Sequence, residues 1–463
     1  MNQNSESVFK DAPVPRAVAK MAIPTVLSML VVVLYNMVDT FFVGQTGDAN
    51  QVAAVSVATP VFLILMAFGN MFGIGGSSLI SRMLGAQEGG RAKKVSAFCC
   101  YGALLLGVVL VAASLLAMPA ILKVIGTSEN TVGYAGDYLR YIVLGAPFII
   151  FSNAFGNIIR AEGAATASMV GNMVGTVVNI VLDPIMILGL GWGVKGAAIA
   201  TVIGNIAASL FYLVFFLRGK SILSLSPRHF AVRGIAGGVV AIGLPASLNN
   251  ILMSVTNILL NNFLVSYGDN AVAGMGVAMK ANMLVVFVQL GLAMGIQPLV
   301  GYAYGAKNIG RLRKVVNFSI LCTTVMGVIL TAVYFFAADG IISVFIADAA
   351  VIEAGVPMLR ALMWSAPVLG VLFVLTNALQ AMGRAAASLV LSISRQGVIF
   401  VPCLFLFNAL FGLDGIIFTQ PVADLCSIVM AVVMYRYITR KLARLHGGEE
   451  DAPLRAARPA AEG

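Results

Sequence analysis

Leu84-Gly85-Ala86-Gln87-Glu88-Gly89-Gly90-Arg91 occurs in this chain and then returns, altered, as Tyr304-Gly305-Ala306-Lys307-Asn308-Ile309-Gly310-Arg311, about 220 residues on. The same spacing pairs Ile23-Pro24 with Leu244-Pro245, Leu139-Arg140 with Leu359-Arg360, and Ala146-Pro147 with Ala366-Pro367. It also pairs Asn157 with Asn377, Gly163 with Gly383, and Gly193 and Gly196 with Gly412 and Gly415. Apolar composition alone does not hold Arg, Asn and Pro in register. The chain is therefore an internal duplication.

What is duplicated is a set of long apolar runs. Hydrophobic residues make up 60% of the 463 and charged residues 10%, with five cysteines dispersed in apolar runs. Soluble domains carry about 25% charged residues, so a large soluble enzyme is excluded. Runs long enough to cross a bilayer, about 20 residues each, recur at 18–43, 52–82, 95–118, 137–159, 168–190, 196–217, 235–266, 271–302, 316–337, 357–380, 387–411 and 415–437. The expected fold is an all-α integral membrane protein of twelve transmembrane helices in two six-helix bundles. An even number of spans per half makes these parallel repeats, related by an axis along the membrane normal. The expected organisation is a cytoplasmic N-terminus (1–17), an N-lobe (18–217), an inter-lobe linker (218–234), a C-lobe (235–438) and a disordered tail (439–463). The polar start, Met1 to Lys20, lacks the short apolar core and cleavage site of a signal peptide.

The net charge of +10 is distributed as topology. Of 29 Lys and Arg, 23 fall in alternate loops and at the two termini, whereas the intervening turns hold only Lys123 and Lys195. Cytoplasmic loops concentrate cations, so both termini are expected inside, in a cell inner membrane, and no nucleic-acid partner is implied.

A charge near the bilayer centre costs at least about 2.5 kcal/mol and marks a functional candidate. Asp39, Asp183 and Asp424 are the acidic members; Lys280 and Arg395 are basic. Asn179 and Asp183 are four apart and share a helix face, as do Thr201 with Asn205 and Asn153 with Asn157. If these stripes face one another they form an oxygen-rich pocket with two carboxylates, suited to a proton or a sodium ion. The alternative for the Asn and Thr residues is hydrogen bonding between helices. At the register of Asp39 the second half has Leu260, so the coupling site is expected in the N-lobe. Arg395 and Asp424 form either an internal ion pair or, with Lys280, a substrate contact or a second coupling site. Pro24 can kink the first helix and so link ion binding at Asp39 to bending. Gly73-Ile74-Gly75-Gly76 has no Lys-Ser/Thr after it and is no phosphate loop, so an ion gradient, not ATP, is the expected energy source.

On Met37-Val38-Asp39-Thr40-Phe41-Phe42-Val43-Gly44, Asn179 to Pro184, Leu84-Gly85-Ala86 and the six-plus-six repeat, the chain resembles the multidrug and toxic compound extrusion (MATE) family over residues 15–440. The resemblance implies a two-lobed V shape. It implies export of organic cations and drugs in exchange for H+ or Na+, with no other cofactor, by a monomer in contact with membrane lipid. In members with an N-lobe site the ion lies among residues matching Asp39, Asn157, Asn179, Asp183 and Thr201, with those matching Tyr35 and Pro24 nearby. The C-lobe carboxylate site of another branch is not implied, because the seventh and eighth spans lack an acidic residue. A lipid-linked oligosaccharide flippase of the same superfamily is the competing carrier, with Lys280 and Arg395 available for pyrophosphate; the acidic N-lobe pocket opposes it. A membrane enzyme or channel would need a catalytic pair or a pore-lining ring, and neither is read.

Overall fold

The structure is a computed structural model that describes residues 8–346 and 348–450. Residues 1–7 of the expected N-terminus and 451–463 of the expected tail lie outside them. The N-lobe spans are α1 (Val14–Gly44), α2 (Ala49–Gly85), α3 (Gly89–Leu116), α4 (Val132–Leu144 and Ala146–Ala161), α5 (Ala165–Gly189) and α6 (Gly193–Leu217). The C-lobe spans are α7 (Ala236–Val265), α8 (Asp269–Gly305), α9 (Ile309–Phe336), α10 (Ala349–Leu362 and Ala366–Ala381), α11 (Ala385–Phe411) and α12 (Leu413–Glu450). Ten of these are long and apolar enough to cross a membrane on their own, and the two bent pairs bring the number to twelve. At 37 residues each, α2 and α8 reach about 55 Å, well beyond a bilayer core of about 30 Å.

Two expectations are corrected. The fourth and tenth spans, read as single runs over 137–159 and 357–380, are helix pairs bent by 56° and 51°. Each second segment begins with Ala-Pro, at Pro147 and Pro367. A proline has no N–H to give the preceding turn, so the ladder restarts there. The tail expected to be disordered from 439 is helical as far as Glu450. The N-terminal segment, expected to be cytoplasmic, packs against the C-lobe where it is described. Phe9 is 1% exposed and stacks on Tyr302 of α8 at 4.9 Å, and the Arg311 guanidinium donates to the carbonyls of Val8 (3.1 Å) and Ala12 (2.9 Å).

The duplication is visible in the backbone. Left-handed residues recur at matched positions: Gln87 (φ 63) with Lys307 (φ 56), Gly163 (92) with Gly383 (74), and Gly193 (51) with Gly412 (60). The lobes meet where glycine lets backbones touch. A Cβ on Gly295 of α8 would lie 2.6 Å from Ala22 Cα, and one on Gly291 2.8 Å from Val26 Cα, the close packing that small residues give membrane helices. Among the described residues, hydrogen bonds between the lobes lie at the end near the termini or no farther out than Ser247 Oγ, which donates to the Ala67 carbonyl at 2.6 Å; Ser78 Oγ to the Gln380 carbonyl at 2.5 Å is another. The hydrogen bonds described between the lobes thus join the molecule at that end.

The linker is fastened to the N-lobe. Ser96 Oγ donates to the Ser224 carbonyl and Tyr101 OH to that of Leu225, both at 2.8 Å, and Phe230 stacks on Phe98 at 6.4 Å. In the turn between α4 and α5, Glu162 is 3% exposed; its Oε2 accepts from Ser221 Oγ (2.8 Å) and Ile222 N (3.0 Å). Burial pushes this carboxyl up to about 7, against the lowering effect of those bonds.

Candidate functional site

Asp183 is the last residue of the α-helical part of α5. Pro184, which follows, opens a wider π-type turn over Pro184–Gly189, so the carboxylate sits at a break in the helix ladder. It is fully buried. Asn179, one turn earlier, places its Nδ2 3.3 Å from Asp183 Oδ1 and 3.5 Å from Thr201 Oγ1 of α6. Exchanging the amide's O and N satisfies both atoms better: the NH2 then donates to Asp183 Oδ2 and the O accepts from Thr201 N, each at 3.1 Å. Tyr35 OH of α1 lies 3.3 Å from Thr201 Oγ1. Asp39, one turn along α1 from Tyr35, is within electrostatic range of Tyr35 and Asp183. Its Oδ1 is buried and has no hydrogen-bond partner among the described residues.

The expected residues Asp39, Asp183, Asn179, Thr201 and Tyr35 are therefore brought together. Among the described residues, neither carboxylate has a Lys, Arg or His nitrogen within 4 Å. Burying carboxylates without a cation is expensive, so the arrangement is suited to taking up one positive charge: a proton on a carboxylate, or a hard cation among carboxylate, amide and hydroxyl oxygens.

Asn157 does not join this cluster by any hydrogen bond. Its Nδ2 donates to the Asn153 carbonyl at 2.9 Å and its Oδ1 accepts from Arg160 at 2.6 Å. Its repeat counterpart Asn377 makes the same amide bond, to the Phe373 carbonyl, at 2.9 Å. Nearer the linker a second network joins Ser28, Asn172 and Tyr212: Asn172 Nδ2 donates to Ser28 Oγ at 2.8 Å, and Tyr212 OH lies 3.0 Å from Asn172 Oδ1. Pro24 is inside α1, as the bending hypothesis requires.

Tyr138, on the first segment of α4, escaped the sequence reading. It is 6% exposed and lies within electrostatic range of both Asp39 and Asp183. Its repeat counterpart is Met358. The comparison that set Asp39 against Leu260 would have flagged it.

In the C-lobe, Arg395 Nε donates to Asp424 Oδ1 at 2.8 Å; Gln420 adds a 2.8 Å bond to the same oxygen and Ser365 Oγ a 3.1 Å bond to Oδ2. The guanidinium also stacks 5.3 Å from the centre of the Phe373 ring. The ion-pair alternative is the one realised. Lys280 stands apart from it, exposed on α8.

The MatE family profile matches residues 24–185 and 245–406, one match in each half. The chain is 33% identical over 429 residues to the multidrug export protein MepA of Staphylococcus saprophyticus, covering 92% of this chain and 95% of that one, and equally so to MepA of Staphylococcus aureus. Among solved structures it is similar to a MATE protein crystallised with MaL6 (TM-score 0.90, 28% identity, 96% of this chain and 100% of that one). It is also similar to an outward-facing multidrug resistance MATE transporter of the MOP superfamily (TM-score 0.89, 28% identity, 96% and 99%).

Proposed function

The chain belongs to the MatE family, the multidrug and toxic compound extrusion transporters, and from that membership we propose that it exports organic cations and drugs in exchange for H+ or Na+ bound at Asp39 and Asp183. It is a multi-pass multidrug efflux transporter and not an enzyme. The observation that carries the coupling reading is the pair of carboxylates, Asp183 fully buried and Asp39 half-buried with one oxygen buried, with no cation within 4 Å among the described residues in an otherwise neutral polar cluster. Of the two cations the flippase reading would use, Arg395 is engaged by Asp424, which leaves it Lys280 alone.

The proposed cycle follows from charge. In the outward-open form the ion enters the Asp39/Asp183 cluster. The added positive charge lowers the cost of the two unpaired carboxylates and lets α1 bend at Pro24. Bending draws in the N-lobe wall, and drug leaves outward. The lobes then rock about the contact between α1 and α8, and the ion leaves inward. An ion drives this only through its different affinity for the two states. The transport path lies between two lobes of one chain, which supports a monomer as the working unit, and the cation-rich loops support an inner-membrane orientation with both termini in the cytoplasm.

The test is ethidium transport by the reconstituted protein in liposomes under an imposed pH gradient, with Asp39→Asn alongside, repeated with a sodium gradient. Gradient-driven transport that Asp39→Asn loses supports the reading and the effective gradient names the ion. Wild-type rates in Asp39→Asn overturn it.

A further inference from the structure

Cations are sparse on the face opposite the termini, yet three of the few stand together there. A cavity of about 510 Å³ opens where the short helix Met118–Val124 meets the first segment of α4. Leu115, Met118 and Leu122 supply apolar lining, and Lys123, Thr127 and Arg140 supply polar lining. The flanking Leu116 and Val124 are 87% and 85% exposed, as suits side chains that face acyl chains. Arg140 lies 3.8 Å from Asp137, and Lys195 lies 3.8 Å from the same carboxylate. Two cations thus share one acid, and Lys123 has no ion pair within 4 Å among the described residues. Glu129, on the adjoining loop, does not line the cavity.

The C-lobe supplies an internal control. Its short helix Ala338–Phe345 stands at the equivalent place, and Arg360 is the counterpart of Arg140. There the chain provides the anion itself: Arg360 Nη2 donates to Asp339 Oδ2 at 3.1 Å. In the N-lobe the register of Asp339 holds Pro119, and that of Asp414 holds Lys195. The scaffold is the same and the arginine is kept, but in place of a carboxylate of its own at 3.1 Å it has Asp137 at 3.8 Å, which Lys195 shares.

We propose that this N-lobe cavity binds the phosphate of an anionic phospholipid headgroup, held by Lys123 and Arg140, with an acyl chain along Leu115, Met118 and Leu122. The orientation proposed above assigns it to the outer leaflet; the binding chemistry does not depend on that assignment. Phosphate suits the site because Arg and Lys bind it by charge-assisted hydrogen bonds, and the apolar lining selects a lipid over free phosphate.

The test is native mass spectrometry of the full chain in detergent, titrated with phosphatidylglycerol, phosphatidylcholine or inorganic phosphate. Each basic side chain near a membrane surface contributes about fivefold to anionic-lipid affinity. Lys123→Gln is therefore expected to lower phosphatidylglycerol retention about fivefold and Lys123→Gln with Arg140→Gln about 25-fold. Arg360→Gln should leave it unchanged, and phosphatidylcholine should be retained less than phosphatidylglycerol. Both N-lobe side chains are exposed, so the variants should keep the wild-type elution and melting profile, which is measured in parallel. Equal retention by wild type and the double variant overturns the proposal, as does an equal loss in Arg360→Gln. Displacement of phosphatidylglycerol by millimolar inorganic phosphate overturns the lipid assignment. No gradient or drug enters the measurement, so its failure and a failure of the export reading are separate events.

Discussion

The two lobes share a scaffold and differ at its polar centre. Both bend at an Ala-Pro pair, by 56° and 51°, and both turn through left-handed residues at matched positions. In the C-lobe the buried carboxylate, Asp424, is answered by Arg395, Gln420 and Ser365. In the N-lobe Asp39 and Asp183 are answered by neutral groups alone, and one carboxylate oxygen by nothing described. A charge that the fold already pairs has no reason to exchange an ion. A charge left open does. The comparison teaches that duplication copies the architecture, and that function sits where the copies diverge.

The largest effect should come from breaking the satisfied side. Asp424→Asn strands the Arg395 guanidinium, and removing one partner of a buried pair costs about 3–5 kcal/mol. The expected outcome is a large fall in melting temperature in detergent. Arg395→Met with Asp424→Leu should recover much of it and still export ethidium. A stable double variant that no longer exports would make the C-lobe pair part of the machinery and erase the contrast.

A second divergence lies near the linker. Glu162 is buried and bonded to Ser221 and Ile222, whereas its counterpart Met382 is apolar. Its folded pKa of about 7 is above the ordinary 4.5. The folded state therefore holds the proton more tightly than the unfolded state. Its contribution is most favourable below about pH 4.5 and is lost as pH rises through about 7, amounting to about 3 kcal/mol. Melting curves at pH 5 and pH 8 should show this fall in wild type and a flatter profile in Glu162→Gln. An unchanged slope in Glu162→Gln would assign the pH dependence elsewhere.

On the open side, Asp183→Asn is expected to lower gradient-driven export about 5–150-fold, the range of ordinary coupling energies. The melting temperature should hold or rise, because the substitution removes a buried charge that has no cation beside it. Loss of export together with collapse of stability would mean that Asp183 supports the fold instead.

Much of this was legible in the sequence. The repeat gave the twelve spans, and the cost of intramembrane charge pointed to Asp39 and Asp183. Helix rotation was not legible. Lipid is as apolar as a protein core, so a span hydrophobic all round does not say which face meets its neighbours. That is why the bonds of Asn157 to Asn153 and Arg160 were not foreseen, and why Tyr138 was passed over. The helical tail was hidden for another reason: Gly447, Gly448 and the charges around them resemble solvated chain, and only the continuation of α12 orders them to Glu450.

Tyr35 gives the finest test of the contrast. Its hydroxyl reaches Thr201 at 3.3 Å, longer than a strong O–H···O bond. The counterpart in the other lobe, Thr256, turns its hydroxyl to the Gln396 carbonyl at 2.9 Å, a structural bond between helices. If Tyr35 did no more than Thr256, Tyr35→Phe would cost stability alone, about 0.5–1.5 kcal/mol for one hydrogen bond. If it orients Thr201 toward Asn179 and Asp183, the ion loses a well-placed oxygen and stability hardly changes. The expected outcome is therefore an export rate a few-fold lower at subsaturating ion, recovered by raising the gradient. A loss that a steeper gradient does not recover would place Tyr35 in drug release, and no loss at all would reduce it to the role of its counterpart.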